Sequence, residues 1–202
     1  MRILIACEES QTECMAFRDY GFEAYSCDIV ECSGGHPEWH IKDDVRNILY
    51  DNWDLIIAHP PCTYLSNAGA RWLYPNGKLN KERYKKGLEA KEFFMMFYNY
   101  KLCPVAIENP LPSKIYNLPV PSQIIQPYEY GHPVSKKTLL WLNELPKLKP
   151  THVIKCEHPF ISTGGIAYEK TRAGGSSKMR SKSFKGIAYA MAHQWGKFIK
   201  EY

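Results

Sequence analysis

Leu55-Ile56-Ile57-Ala58-His59-Pro60-Pro61-Cys62 is the stretch on which the reading of this chain turns. Four apolar residues closed by a double proline are too short for a buried helix and read as a buried parallel strand. The same grammar recurs where Val105-Ala106-Ile107 runs into Glu108-Asn109-Pro110, with Glu108 standing 46 positions beyond Cys62. Open α/β sheets bind ligands in the crevice at the carboxyl ends of their strands. A thiol and a carboxylic acid are therefore expected at one lip of one sheet. A thiolate can add to a ring and a neighbouring carboxyl can protonate that ring, so the pair suits covalent catalysis.

Outward from these two strands the chain alternates strand and helix. Residues 2–6 read as a first strand and Cys7-Glu8-Glu9 as the turn that leaves it. Ser10-Gln11-Thr12-Glu13 has capping-box spacing, with Ser10 as N-cap, and the helix it opens should stop at Gly21. Residues 24–27 form a second strand ending on Asp28, 20 residues beyond Glu8. An acidic residue at that distance can hold ribose hydroxyls in a nucleoside-binding sheet, although a lone Asp after a strand is also a common turn former. A third short strand ends near Asp43-Asp44-Val45. Residues 80–100 read as a long helix with Leu88, Phe93, Phe94, Met96, Phe97 and Tyr100 on its apolar side. Residues 123–126 and 138–142 look like further strands, and residues 186–200 like a closing helix carrying Ile187, Ala190, Met191, Trp195, Phe198 and Ile199. The pattern predicts one doubly wound α/β domain over residues 1–202 with a mostly parallel sheet.

Composition narrows the class. The hydrophobic fraction of 45% is ordinary for a globular chain, and no apolar run approaches the roughly 18 residues of a membrane span. The opening segment turns acidic at Glu8-Glu9, too early for a secretory signal, so a cytoplasmic location is expected. Seven cysteines without a regular framework then read as reduced thiols. The net charge of +5 is modest, but its distribution is uneven. Lys170, Arg172, Lys178, Arg180, Lys182 and Lys185 follow one another with no acidic residue between them. Gly174-Gly175-Ser176-Ser177 lies within the same stretch. It reads as a basic loop, either simply solvated or placed against phosphates.

In this order the motifs resemble the DNA cytosine-C5 methyltransferase superfamily, and more closely its small phage and prophage members with a reduced target-recognition region. The resemblance covers most of the chain, from Ile3 to Trp195. Pro61-Cys62 matches the catalytic Pro-Cys, and Glu108-Asn109 the Glu-Asn pair. Asp28 matches the acidic residue on the cofactor ribose, followed by Ile29, and Asp44-Val45 the aspartate that reads the adenine amino group. The segment from Gly186-Ile187-Ala188 through Trp195 resembles the helix that completes the cofactor pocket. There are two departures. The glycine-rich first loop is replaced by Ala6-Cys7-Glu8-Glu9-Ser10, which offers backbone N–H groups at a helix start but no glycine. The paired arginines that the family carries after strand seven are absent, and Ser135-Lys136-Lys137-Thr138 takes their place, with Lys136 as the supporting charge.

The resemblance implies a Rossmann-like S-adenosyl-L-methionine-dependent fold and a DNA (cytosine-5-)-methyltransferase activity. Cys62 would attack C6 of the ring, making C5 nucleophilic, while Glu108 assists at N3 and Asn109 fixes the carboxyl or the base edge. Cys62 must then be a thiolate, helped by Lys136, His59 or the sulfonium, and Glu108 must hold a proton, which burial would favour. The cofactor set is Ala6, Cys7, Glu8, Glu9, Ser10, Asp28, Ile29, Asp44, Val45 and Pro60; no metal belongs to it. A target cytosine in a duplex would have to be flipped out. Arg71 would then meet a phosphate and Trp72 would stack or fill the gap, with Lys170, Arg172, Lys178, Arg180 and Lys182 on the nucleic acid. Residues 151–185 would form the reduced recognition insertion before the closing helix 186–200. So small an insertion implies low sequence specificity, or a protein partner or second copy that supplies it.

Other readings compete. An amino-methyltransferase would carry an Asp/Asn-Pro-Pro-Tyr motif; here His59 and Cys62 hold the outer positions, although Tyr64 is near. Cys27, Cys32, His36 and His40 have ligand types suited to zinc at C-x4-C-x3-H-x3-H spacing, with a spacer too short for a standard finger. A non-catalytic nucleic-acid-binding relative has no need of Cys62 and Glu108 together. RNA or a free nucleotide is an alternative substrate.

Overall fold

The short apolar runs form the middle of a seven-stranded sheet. A computed structural model describes residues 1–159 and 182–201, apart from the side chains of residues 70, 71, 158 and 159. The main sheet contains β1 (Arg2–Ala6), β2 (Glu23–Asp28), β3 (His40–Lys42), β4 (Leu55–Ala58), β5 (Val105–Asn109), β6 (Gln123–Ile125) and β8 (Thr138–Asn143). Strands β7 (Val134–Ser135) and β9 (His158–Pro159) pair separately. The helices are α1 (Thr12–Asp19), α2 (Lys81–Tyr98) and α3 (Lys185–Glu201).

Strand order in the main sheet is β3-β2-β1-β4-β5-β8-β6. The first five run parallel, and β8 is antiparallel to both of its neighbours. This is a Rossmann-like, doubly wound α/β fold, with a mostly parallel sheet and a reversed strand next to one edge. Every residue of β4 is buried, as is β1 from Ile3 onward, because helices cover both faces of the sheet. Alternate side chains serve opposite faces. Ile3 and Ile5 pack in one cluster with Phe17 of α1 and Met191 and Trp195 of α3. Leu4 and Ile56 pack in the other with Phe94 and Phe97 of α2.

Local differences from the sequence reading have physical causes. The capping box expected at Ser10 and Glu13 does not form. The N-cap of α1 is Gln11, in the left-handed region at φ 58°. Glu8 takes over the capping, its carboxyl oxygens accepting from the main-chain N–H of Glu13 at 2.8 Å and of Cys14 at 3.3 Å. Glu8 reaches back because Cys7, also left-handed at φ 60°, reverses the chain and Glu8 N–H is anchored on Cys27 O at 3.1 Å. On α2, Asn80 caps the start by accepting from Arg83 N–H. Phe94 and Phe97 are buried, while Leu88 faces solvent, so the apolar side of α2 is narrower than expected.

Candidate active site

Register places the chemistry. Ala6 pairs with Cys27 and with Ala58, and Ala58 pairs with Ile107. The next residue on each strand therefore reaches the carboxyl lip at one level, and those residues are Cys7, Asp28, His59 and Glu108. The strand order reverses between β1 and β4, the switch point where such sheets bind ligands. Main-chain bonds stitch the lip: His59 N–H donates to Ala6 O at 2.9 Å.

Cys62 and Glu108 lie close enough at this lip for the carboxyl to act electrostatically on the thiol. The loop after β4 and the loop after β5 are joined by main-chain bonds from Asn67 N–H to Leu111 O at 2.8 Å and from Ser113 N–H to Leu65 O at 2.7 Å. Asn109 is buried, and its amide donates to Pro60 O at 2.9 Å. Asn109 thus fixes the turn that carries Cys62 rather than contacting the Glu108 carboxyl. Lys136, in the short connection between β7 and β8, acts electrostatically on Cys62, Glu108 and His59 together.

The resting charges differ from the expectation. Burial and the nearby Glu108 raise the Cys62 thiol above its ordinary value, and Lys136 offsets only part of this. Burial alone would raise Glu108 too, but the hydrogen bond and charge of His59, with Lys136 behind, bring it below the usual carboxylate range. Glu108 therefore rests as a carboxylate, not as the acid that burial suggested. His59 Nδ1 lies 3.2 Å from Glu108 Oε2 and Nε2 lies 3.5 Å from Glu13 Oε1. Burial lowers the His59 pKa, yet the two carboxylates outweigh it and the net shift is upward.

The other half of the lip is open. Asp28 Oδ1 accepts from Val30 N–H at 3.2 Å, and Ile29 beside it is 70% exposed. The Asp44 carboxylate takes hydrogen bonds from the main chain and guanidinium of Arg46, which hold its pKa at about 2; Val45 is buried. Pro60 is buried too. The turn from Cys7 to Ser10 is clamped from above. Ser33 N–H donates to Glu9 O at 2.7 Å, and Gln11 exchanges hydrogen bonds with the main chain of His36 in both directions. Gly34 is required there, because a Cβ would sit 2.5 Å from Gln11 Cβ.

The expected nucleic-acid residues divide. Trp72 is exposed on the rim of an open cleft of about 480 Å³ that Tyr64, Arg83 and Lys86 also line. The side chain of Arg71 lies outside the described residues, as do Lys170, Arg172, Lys178, Arg180 and most of the expected insertion 151–185. Lys182 Nζ donates to Ser33 Oγ at 3.0 Å, on the clamp. The zinc reading finds no support: among the described residues no three His, Cys, Asp or Glu side chains converge on a metal-sized site. His40 instead bonds Ser26 Oγ and Val30 O. Sequence reasoning missed Glu13 as the partner of His59, since its spacing from Ser10 read as a local cap.

No protein-family model matches the chain and no curated protein matches it. Among solved structures, it is similar to the Entamoeba histolytica methyltransferase EhMeth, with 16% identity over 76% of this chain and 57% of that one, at a TM-score of 0.48. It is also similar to a triple mutant of Spodoptera frugiperda DNMT2, with 16% identity over 76% of this chain and 54% of that one, at a TM-score of 0.39. The chain thus spans less than two thirds of either, and the fold assignment stands on the strand order itself.

Proposed function

We propose that this chain is an S-adenosyl-L-methionine-dependent methyltransferase acting on C5 of cytosine in DNA. The observation that carries the reading is the convergence of Cys62 and Glu108 at the ends of adjacent parallel strands, under the charge of Lys136. The donor side fits a nucleoside: Asp28 for ribose hydroxyls, exposed Ile29 as an apolar shelf for the adenine ring, and Asp44 as acceptor for its amino group. Glu8 accepts from the N–H groups of Glu13 and Cys14 at the start of α1, so those two are not available to the carboxylate of the donor.

When bound, the donor supplies an electrophilic methyl group. The protein prepares the ring that takes it. The Cys62 thiolate adds to C6, and Glu108 passes a proton to N3 so that the charge driven into the ring is neutralised. Lys136 favours the thiolate, which burial otherwise disfavours. Asn109, through Pro60 O, keeps the cysteine turn in register with β5. The tied loops carry Trp72 and Tyr64 beside the site, where an exposed ring can stack on a base next to the flipped target. A protein partner or second copy is the proposed source of sequence recognition.

The test is transfer of labelled methyl to mixed-sequence duplex DNA by wild type and by Cys62→Ala. 5-Methylcytosine formed by wild type and absent with the variant supports the activity and its nucleophile. Label on RNA or dCMP alone would move the substrate, and label on an exocyclic nitrogen would overturn the C5 reading.

A further inference from the structure

His59 lies between two buried carboxylates that enter from different elements. Glu13 comes from α1, Glu108 from β5 and Lys136 from the β7–β8 connection; Cys62 lies beyond Glu108, and Glu8 faces Glu13 from the β1–α1 turn. The His59 side chain is only 12% exposed and that of Glu13 1%. A carboxylate so deep is costly unless a cation faces it. Neither oxygen of Glu13, nor His59 Nε2, has an aligned hydrogen-bond partner among the described residues, and burial together with the adjoining Glu13 carboxyl pushes Glu8 well above the usual carboxylate range. The imidazole is the nearest positive partner of Glu13, at 3.5 Å.

We propose that His59 is a positioning residue that stores the proton Glu108 delivers to the ring, with Glu13 as the fixed counter-charge that keeps it there. This rests on the C5 reading above. It answers a difficulty in that reading, since Glu108 rests ionised yet must act as a donor. At rest His59 holds both ring protons, Nδ1–H toward Glu108 and Nε2–H toward Glu13. As the Cys62 sulfur bonds C6, the displaced electron pair moves toward N3. N3 takes a proton through Glu108, and Nδ1 gives up its own to Glu108. The imidazole is left neutral with Nε2–H still facing Glu13. After methylation C5 loses its proton to water and the S–C6 pair returns to sulfur. N3 then gives its proton back to Glu108 and Glu108 to Nδ1, so neither residue is consumed.

The test combines ring charge with rate in the full-length protein. Nitrogen-15 spectra, with His59 assigned by its loss in His59→Asn, should show an imidazolium at pH 7 in wild type. Glu13→Gln should bring its titration down toward the ordinary histidine range. A neutral His59 ring at pH 7 in wild type overturns the proposal. In His59→Asn the amide can hold Glu108 in place but cannot store a proton, so the carboxyl must hold it alone. Single-turnover methyl transfer should then fall about 100-fold at pH 8 but no more than about 10-fold at pH 6. An equal loss at both pH values, with the melting temperature and S-adenosylhomocysteine affinity of wild type, assigns His59 a structural role only. A wild type that transfers no methyl to DNA, RNA or dCMP brings down the C5 reading and this proposal with it. An active wild type with the uniform loss removes His59 alone.

Discussion

The two ends of one sheet lip treat charge in opposite ways. Around β4 and β5, His59, Glu13 and Glu108 are packed away from water, and the ionisations of His59 and Glu108 are shifted by their neighbours. Around β2 and β3, Asp28 and Asp44 stand at a wetter edge, and Asp44 is matched by the exposed Arg46. Low dielectric makes a charge at the first end strong and costly; solvent and salt make a charge at the second weak and easily replaced. Under the proposed function, bond-making chemistry falls at the dry end and reversible ligand holding at the wet one. The same strand geometry serves both, so the difference lies in what covers each end.

The sharpest way to break this contrast is to remove the proposed nucleophile. Cys62→Ala should abolish methyl transfer while binding S-adenosylhomocysteine as wild type does, measured by radiolabel and calorimetry. Glu108→Gln, also at the dry end, should slow single-turnover transfer by about 10²–10⁴-fold with little change in ligand affinity. The wet end should behave conversely. Asp28→Asn should weaken S-adenosylhomocysteine by about 1.5–3 kcal/mol, roughly 10- to 100-fold, and leave the saturated rate near wild type.

Two smaller effects refine the comparison. Lys136 lowers the Cys62 pKa against a net upward shift. Lys136→Gln should therefore move the midpoint for iodoacetamide alkylation of Cys62 to higher pH, several-fold slower at pH 8, as followed by mass spectrometry. Arg46→Ala should change stability by about 1 kcal/mol or less, because exposed pairs contribute little. It should also let the Asp44 carboxyl rise from about 2 toward the ordinary aspartate value in an NMR titration. A large stability loss there would mean that the wet end is not wet.

The fold was legible because its signals are local. Four apolar residues before His59-Pro60-Pro61, three before Glu108 and the Gly21 stop each act within a few positions. Cys62 and Glu108 were legible for the same reason, each marking the end of its own strand. The charge state was not. Glu13 and His59 are 46 residues apart, and nothing near either announces the other. Ser10-Gln11-Thr12-Glu13 even matched a local motif that competes with the true arrangement, in which Glu8 caps α1 and frees Glu13 to turn inward. Tertiary contacts outweighed the local pattern there. Likewise the burial expected to protonate Glu108 is outweighed by an imidazole that sequence spacing could not place.

The clamp between Gln11 and the loop from Ser33 to His36 leaves a signature that can be sought in other genomes. Gly34 lies against the Gln11 side chain and the Ser10 carbonyl with no room for a Cβ, and Gln11 spends both ends of its amide on His36. Position 34 is therefore bound to stay glycine in any relative that keeps this clamp: the atoms in the way include the Cβ at 11 and the main-chain oxygen at 10, which no shortening of the side chain at 11 removes.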